Sequence, residues 1–269
     1  MTHILITGAA GAIGRVLRQQ LRGVYTHMRL ADRVAQDPAG PGEEVLDLDV
    51  RDPQALEQAM AGIDCVVHLA GVSGEDSWEN ILGTNIDGCY QMFEAARRQR
   101  VPRVVFASSN HAVGFHRRGA ALDADSVPRP DTRYGVSKVL GEALGRLYAD
   151  KHGMSVACLR IGTFRTPDRP SDLRQLRSWI SHRDLVQLVR RCIDHPRYHF
   201  LVAYGVSANT RSNWSNAQVA FLGYAPQDNA EAFAAEIEAM NRPEDPLAAQ
   251  FHGGFYCPIE FTGDAGRID

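Results

Sequence analysis

A regular alternation between short apolar runs and longer helical patterns constrains the fold of this chain more than any other feature. Seven runs predict β-strands near Ile4–Thr7, Met28–Ala31, Glu44–Leu46, Cys65–Leu69, Arg103–Ala107, Ser155–Arg160 and Tyr198–Val202. Helical patterns lie between them, notably at Ala12–Leu21, Pro53–Met60, Ile81–Arg98 and Thr132–His152. Strands that alternate with helices are typical of a parallel sheet with helices on both faces. The sequence therefore predicts the α/β class, with a doubly wound parallel sheet.

This regularity weakens after about Arg160. Thr166–Ser171 contains two prolines and predicts a loop, and helical patterns follow at Arg183–Ile193, Asn213–Phe221 and Asn229–Met240. We expect residues 1–162 to form the sheet domain. Residues 163–269 are expected to form a small, mostly helical cap and a tail that are integral to the same domain. The aromatic-rich segment Phe251–Phe261 either packs on its own domain or contacts another subunit.

A glycine-rich loop follows the first predicted strand and opens the first helix, and its sequence is TGAAGAIG. The residues that we expect to face a ligand there are Gly8, Gly11, Ala12, Ile13 and Gly14. Glycines let the backbone turn tightly and approach a pyrophosphate, which the positive N-terminus of a helix attracts. The loop and its context predict a Rossmann-type sheet that binds a dinucleotide.

An acid at the end of the second predicted strand indicates which dinucleotide is bound. Asp32 lies 18 residues beyond Gly14, where a carboxylate accepts hydrogen bonds from the adenosine ribose hydroxyls. It would repel a 2′-phosphate, although Arg33 could pair with one. The sequence favours NAD over NADP.

Two further segments end predicted strands and fit the same cofactor. Asp49 and Val50 could place a carboxylate and an amide at the adenine edge. Leu69, Ala70 and Gly71 end the fourth predicted strand, where small residues would let the dinucleotide cross the strand tips. Open α/β sheets bind ligands at the carboxyl ends of their strands, where all these residues lie.

Tyr134 and Lys138 carry the predicted chemistry. They are four residues apart, which places them on one face of a helix. A neighbouring cation favours a phenolate, so we expect Lys138 to lower the pKa of Tyr134. Tyr134 could then take the proton from a substrate hydroxyl as the hydride leaves for nicotinamide, and Lys138 could hold the nicotinamide ribose. Ser109, at the tip of the fifth strand, would bind the reacting oxygen.

Together, these motifs resemble the extended short-chain dehydrogenase/reductase family over residues 1–165. The motifs are TGxxGxxG, the HLAG of residues 68–71, Asn85 in the next helix, the SSN of residues 108–110 and YxxxK. The resemblance implies that Asn85 supports the cofactor site as a structural or proton-relay residue. It also implies that Tyr134, Lys138 and a serine at 108 or 109 carry catalysis.

Three shorter segments are similar to the uronate dehydrogenase branch, whose members oxidise C1 of glucuronate or galacturonate to an aldarolactone. The segments are SSNHAVG at 108–114, RIGT at 160–163 and SWIS at 178–181, with Thr163 where the branch has a serine. Most extended members act on nucleotide-linked sugars and need a larger C-terminal region. The short C-terminal part of this chain favours a small, free substrate.

A uronate carries a carboxylate, which an arginine can bind with two parallel hydrogen bonds. Four arginines lie in the segment expected to cap the substrate: Arg165, Arg169, Arg174 and Arg177. The resemblance, matched back from Trp179, selects Arg174. Ser73, Asn110 and His111 are expected to hydrogen-bond sugar hydroxyls, although His111 could instead fix its loop.

Composition excludes several other classes. A net charge of −3 without long charge runs does not suggest nucleic-acid binding. Five dispersed cysteines predict free thiols in a reducing compartment, without a disulfide framework or metal site. The N-terminus resembles neither a signal peptide nor a membrane span, so a cytoplasmic protein is expected. A homo-oligomer is also expected.

Two alternatives to a uronate dehydrogenase stay open. A sugar-nucleotide epimerase or dehydratase on the same scaffold would retain its NAD and show no net oxidation. A catalytically dead, NAD-sensing regulatory protein is the second, and the intact Tyr134, Lys138 and Ser109 argue against it.

Overall fold

A computed structural model describes residues 2–240 and 242–268. Its centre is a seven-stranded, fully parallel sheet with the strand order β3-β2-β1-β4-β5-β6-β7. The strands are β1 His3–Thr7, β2 His27–Asp32, β3 Glu43–Asp47, β4 Cys65–His68, β5 Arg103–Ser109, β6 Ser155–Ile161 and β7 Phe200–Gly205. The order reverses between β1 and β4, which is the topological switch point where α/β sheets bind ligands. The predicted fold class is confirmed.

Helices cover both faces of this sheet. They are α1 Ala12–Leu21, α2 Pro53–Ala59, α3 Trp78–Asn80, α4 Gly88–Arg98, α5 Arg133–His152, α6 Gln175–Ser178, α7 His182–Asp194 and α8 Ala234–Ala239. Helices α1 and α7 pack on one face, and α2, α4 and α5 pack on the other. Both faces of the central strands are therefore buried, which explains their continuous apolar runs.

Two predicted elements on the sheet side differ in detail. Strand β7 begins two residues later than expected because the Tyr198 hydroxyl donates to the Cys192 carbonyl oxygen (2.8 Å), which holds Tyr198 in the preceding loop. The helix predicted over Ile81–Arg98 contains a π-helical stretch, Ile81–Asp87, before α4 begins. A π-helical turn often marks a functional site, and this one contains Asn85.

The cap is less helical than its sequence pattern predicts. The helix expected at Asn213–Phe221 is only a 3₁₀ turn, Ala217–Leu222. The reason is Asn216, whose side chain accepts from the Tyr204 backbone N–H (2.7 Å) and donates to its carbonyl oxygen (2.9 Å). Asn216 thus extends the edge of β7. The pattern at Asn229–Met240 forms a 3₁₀ turn, Ala230–Phe233, followed by α8.

The C-terminal tail packs against its own domain. Phe251 is fully buried, and its ring packs edge-on against Phe115 at 5.5 Å between centroids. The Arg117 guanidinium lies 4.7 Å above the same ring. Between short 3₁₀ turns at Ala248–Gln250 and Gly254–Tyr256, the N–H groups of His252 and Gly253 donate to the carbonyl oxygens of His116 and Gly114, in the segment that follows β5. The tail is therefore part of the surface around the candidate site.

Within the described residues, no helix is long and apolar enough to cross a membrane. Over the same residues, no cluster of His, Cys, Asp and Glu is arranged to hold a metal ion. The five cysteines are buried free thiols.

Candidate active site

A cavity of about 550 Å³ opens at the carboxyl ends of the strands. This volume lies within the range of about 300–1,000 Å³ that is common for ligand sites. Fifteen of the residues expected at the site line the cavity: Gly8, Gly11, Ala12, Ile13, Gly14, Asp32, Asp49, Val50, Leu69, Ala70, Gly71, Ser73, Ser109, Tyr134 and Lys138. Five others lie outside its lining, namely Asn85, Asn110, His111, Thr163 and Arg174.

Two glycines of the loop lie where backbone segments pack too closely to admit a side chain. Gly8 has a φ of +73°, and a Cβ there would lie 2.6 Å from the Ala70 backbone nitrogen. A Cβ on Gly14 would lie 2.5 Å from the Gly8 carbonyl oxygen. Gly11 caps α1 without a side-chain hydrogen bond. The N–H groups of the first turn of α1 are therefore free of a side-chain cap and fit an anion.

Asp32 is held at the cavity by the backbone around it. One carboxylate oxygen accepts from the Ala10 N–H (2.9 Å), and the other accepts from the Val34 N–H (2.9 Å). A carboxylate has about four acceptor positions, so these two bonds leave capacity for ribose hydroxyls. Arg33 lines the cavity beside it and is exposed. The geometry fits the adenosine half of NAD.

Asp49 lines the cavity, but its carboxylate is already paired. Arg51, which the sequence analysis did not single out, donates to it at 2.6 Å, and this ion pair lowers the pKa of Asp49. The neighbouring Val50 is buried and packs against the backbone of Gly88. The role of Asp49 at the adenine edge stays a prediction.

Asn85 fixes the loop after β4. Its side-chain oxygen accepts from the Val72 N–H (2.7 Å), and its nitrogen donates to the Val72 carbonyl oxygen (3.0 Å) and to Ser137 Oγ (3.1 Å). These bonds join the π-helical turn, the β4 loop and α5. Of the two roles implied by the resemblance, the geometry favours the structural one.

The Tyr134–Lys138 pair corrects one sequence-based expectation. Lys138 Nζ lies 5.4 Å from the centre of the Tyr134 ring, but it donates to the Ala107 carbonyl oxygen (2.9 Å). Burial raises the pKa of Tyr134 to about 12, a shift that the Ser109 hydroxyl opposes. Burial also lowers the pKa of Lys138 to about 8. The expectation that Lys138 lowers the phenol pKa was wrong for this structure, because desolvation outweighs an ammonium group that points elsewhere.

The two serines at the tip of β5 point to different partners. Ser108 Oγ donates to Glu142 (2.6 Å), and Glu142 forms a buried ion pair with Arg160 (2.9 Å). Ser109 Oγ accepts from the His111 backbone N–H (3.2 Å) and lies beside Tyr134. Ser109 therefore fits the reacting oxygen, and Ser108 is engaged in supporting the strand tip.

Arg174 is a buried cation whose partners are neutral. Its Nε donates to the His252 carbonyl oxygen (2.8 Å), and its Nη1 lies 3.4 Å from Thr163 Oγ1. With the Asn110 amide oriented to satisfy both of its atoms, the oxygen accepts from Nη2 of Arg174 (2.6 Å). In the parts of the chain that the structure describes, no carboxylate forms an ion pair with Arg174. Burial lowers its pKa, and a substrate carboxylate would supply the missing counter-charge.

The other three arginines of this segment have different surroundings. Arg169 forms an ion pair with Glu236, and Arg177 donates to the Arg211 carbonyl oxygen (2.9 Å). Arg165 is exposed. Arg174 is thus the member that the fold places beside Asn110 and Thr163.

Two residues at this end were missed by the sequence analysis. Asp131 forms a 2.7 Å hydrogen bond with Nδ1 of His111, and both are buried. The ring centroid of Tyr256 lies 4.2 Å from that of His111, and a Cβ on Gly74, next to Ser73, would meet the Tyr256 hydroxyl at 2.7 Å. Neither residue lies in a short motif. The aromatic composition of the tail was the one available signal for Tyr256.

Comparisons with known proteins agree with this geometry. The model of the NAD dependent epimerase/dehydratase family matches residues 4–172. The uronate dehydrogenase of Agrobacterium fabrum is 45% identical over 95% of this chain and 97% of that protein. The uronate dehydrogenase of Pseudomonas putida is 42% identical over 94% and 95%, respectively.

Solved structures give the same result. The crystal structure of uronate dehydrogenase from Agrobacterium tumefaciens is 43% identical, with a TM-score of 0.91 over 96% of this chain and 97% of that one. A mutant of that enzyme has been solved in complex with NAD, at the same TM-score. The resemblance predicted from the motifs is confirmed. The chain belongs to the NAD dependent epimerase/dehydratase family and, within it, to the uronate dehydrogenases.

Proposed function

We propose that this NAD-dependent oxidoreductase oxidises a free hexuronate, glucuronate or galacturonate, at C1 and releases the aldarolactone. The observation that carries the proposal is Arg174, a buried guanidinium whose protein partners are all neutral among the described residues. It contacts Asn110 and Thr163, and Asn110 directly follows Ser109 in the chain. A substrate with a reactive hydroxyl at one end and a carboxylate at the other matches this layout. The names of the 41–45% identical relatives support the same substrate class.

The proton chemistry is assigned to the side chains at the tip of β5 and the start of α5. Bound NAD would supply the hydride acceptor, C4 of its nicotinamide. Ser109 Oγ holds the C1 oxygen, and Tyr134 Oη takes the C1 hydroxyl proton. The C1 hydrogen leaves with its electron pair, so C1 becomes a carbonyl carbon. Because the ring oxygen stays bonded to C1, the product is a lactone.

The remaining residues position the two ligands. Lys138, held by the Ala107 carbonyl oxygen, would bind the nicotinamide ribose. Ser73 and Asn110 would hydrogen-bond sugar hydroxyls, and Thr163 would support Arg174. Asp32 would bind the adenosine ribose. Burial raises the pKa of Tyr134 to about 12, so only the small ionised fraction of the phenol can take the C1 hydroxyl proton at neutral pH. The rate of oxidation should therefore rise with pH.

The test is NADH formation, followed by absorbance, with glucuronate, galacturonate, glucose and UDP-glucuronate. We expect turnover with one or both free uronates and little with glucose. Turnover with UDP-glucuronate alone would contradict the proposal. Retention of tightly bound NAD without net oxidation would favour a nucleotide-sugar epimerase or dehydratase instead. Failure with all four, despite NAD binding, would favour the NAD-sensing protein.

A homo-oligomer is the second part of the proposal. Helix α5 exposes two apolar side chains, Val136 (44%) and Leu147 (45%). Leu82 and Tyr90, in the neighbouring helical segment, are 43% and 45% exposed. A second copy of the chain could cover this surface. A monomeric mass by light scattering would contradict this part. The cytoplasmic location stays a prediction.

A further inference from the structure

A buried histidine–aspartate pair lies between the predicted base and the predicted carboxylate site. Nδ1 of His111 is 2.7 Å from Oδ2 of Asp131, and the Asp131 side chain is completely buried. The His111 ring lies 5.9 Å from the Tyr134 ring and 4.2 Å from the Tyr256 ring, between centroids. The charge of Arg174 acts on the same imidazole. The pair thus borders both ends of the proposed substrate.

The Asp131 carboxylate occupies space that is available only because residues 114 and 253 are glycines. A Cβ on Gly114 or on Gly253 would lie 1.9 Å from Oδ2 of Asp131. The other oxygen, Oδ1, accepts from the Thr132 hydroxyl (2.9 Å), and Thr132 in turn caps the N-terminus of α5 by accepting from the Gly135 N–H (3.0 Å). Three separate segments therefore fix Asp131.

A carboxylate at Nδ1 decides where a neutral imidazole keeps its proton. A carboxylate only accepts hydrogen bonds, so Nδ1 must donate, and Nε2 is left with a lone pair. Burial lowers the pKa of His111, which favours the neutral ring. Over residues 2–240 and 242–268, Nε2 of His111 has no hydrogen-bond partner. This unused acceptor belongs to a ring that lies 5.9 Å from the Tyr134 ring.

We propose that Asp131 is a positioning residue that keeps the proton of His111 on Nδ1, so that Nε2 accepts a hydrogen bond from a sugar hydroxyl. The inference rests on the proposed function, because it needs a polyhydroxylated substrate in this site. With this tautomer, the substrate site has hydrogen-bond donors on one side and a hydrogen-bond acceptor on the other. Arg174 offers only donors and binds the carboxylate, whereas Nε2 offers only an acceptor and repels one. The pair therefore selects the orientation in which C1, rather than the carboxylate, faces Tyr134.

The decisive experiment compares wild type with Asp131→Asn, using ¹⁵N NMR of histidine-labelled protein and steady-state kinetics with glucuronate and galacturonate. In the variant, the Thr132 hydroxyl retains the amide oxygen as its acceptor, so the amide NH₂ faces Nδ1. The imidazole proton should then move to Nε2. We expect the KM for the uronate to rise about tenfold, in line with one lost hydrogen bond, while the KM for NAD stays within twofold.

Three results would overturn the proposal. They are a wild-type His111 with its proton on Nε2, an Asp131→Asn protein in which the proton stays on Nδ1, and a moved proton with no change in the KM for the uronate. Asp125→Asn is the matched control, because Asp125 is an exposed carboxylate in the same segment. It should leave the tautomer and both KM values unchanged.

A second pair of variants keeps the proposal testable if Asp131→Asn does not fold. In His111→Asn, the short amide can still donate to Asp131 but does not reach the Nε2 position, so the KM for the uronate should rise about tenfold. In His111→Gln, the longer side chain carries its amide oxygen to that position and should recover part of the loss. Equal KM values for both variants would contradict the inference. If wild type oxidises no free uronate, the proposed function fails, whereas the NMR measurement still tests Asp131.

Discussion

The cofactor end and the substrate end of the site are built in different ways. At the cofactor end, backbone groups of consecutive loops provide much of the surface, and glycines 8 and 14 let these segments pack closely together. At the substrate end, the surface consists of long side chains from distant segments. Arg174, for example, is held by the carbonyl oxygen of His252, 78 residues further along the chain. A surface made of backbone depends on a short local motif, whereas a surface made of side chains depends on the whole fold.

Their electrostatics differ as well. The cofactor end presents a carboxylate, Asp32, that two backbone N–H groups already stabilise. The substrate end contains a buried guanidinium with neutral partners, so it is incomplete until an anion binds. Tyr134, on α5, lines the cavity between the two ends. Variants of Asp32, Arg174 and Tyr134 should therefore separate the contributions of the two ends to catalysis.

Removing the Tyr134 hydroxyl should have the largest effect. Tyr134→Phe leaves the ring packed against His111 and should lower kcat by about 10²–10⁴-fold, which is the usual contribution of general acid–base catalysis. Binding of NAD, measured by calorimetry, should be preserved. Tyr148→Phe, on the same helix but bonded to Glu94, is the control and should leave kcat unchanged. A near-normal kcat in Tyr134→Phe would show that another group takes the proton.

Arg174 should give the second-largest effect, confined to the acid substrates. In Arg174→Ala, kcat/KM for glucuronate should fall roughly 30- to several thousand-fold, because the substrate carboxylate loses a desolvated partner. This corresponds to a loss of about 2–5 kcal/mol of transition-state binding. Any slow oxidation of glucose should change little. Arg174→Lys should recover only part, since an ammonium group cannot form the paired hydrogen bonds.

Two outcomes would change this interpretation of Arg174. Equal losses on glucuronate and glucose would mean that the arginine shapes the tail through the His252 carbonyl oxygen rather than binding the carboxylate. No loss on either would return the carboxylate site to Arg165, Arg169 or Arg177. Arg177→Ala removes a guanidinium that donates to the Arg211 carbonyl oxygen, and it should leave kcat/KM unchanged if Arg174 binds the carboxylate.

The same contrast explains what the sequence could and could not reveal. The seven strands, the glycine loop and Asp32 were predictable because apolar runs and glycine spacing are local patterns. Asp131 was not, since its role depends on the absence of side chains at residues 114 and 253, which only the fold brings together. The sequence predicted Ser109 as the serine that binds the reacting oxygen. The bond that engages Ser108 was not predictable, because it depends on Glu142 of α5.

Asp32 tests the cofactor end and should give a smaller effect than Arg174. Asp32→Ala removes the ribose acceptor and the repulsion of a 2′-phosphate, so kcat/KM should fall about tenfold for NAD and rise for NADP. The ratio of the two values is the measurement. Asp37→Ala, an exposed carboxylate five residues further along, should leave the ratio unchanged. Equal use of both cofactors by wild type would contradict the assigned role of Asp32.

A loss of stability in acid, which does not depend on turnover, can also be divided between the two ends. Burial lowers the pKa of His68, which bonds Thr7 beneath the cofactor end, to about 3, and that of His252, beside Arg174, to about 4. The unfolded chain has the ordinary imidazole pKa near 6.5, so it takes up protons below that pH that the folded chain does not. The free energy of unfolding should therefore fall as the pH drops from 6.5 toward 4, by up to about 1.4 kcal/mol per pH unit for each histidine.

Thermal midpoints measured between pH 7 and 5 should show a shallower decline in His68→Gln and in His252→Gln than in wild type. The exposed His152→Gln is the control and should keep the wild-type slope. An unchanged slope in both buried variants would show that other groups cause the acid sensitivity, and a change in one alone would assign it to that end of the site.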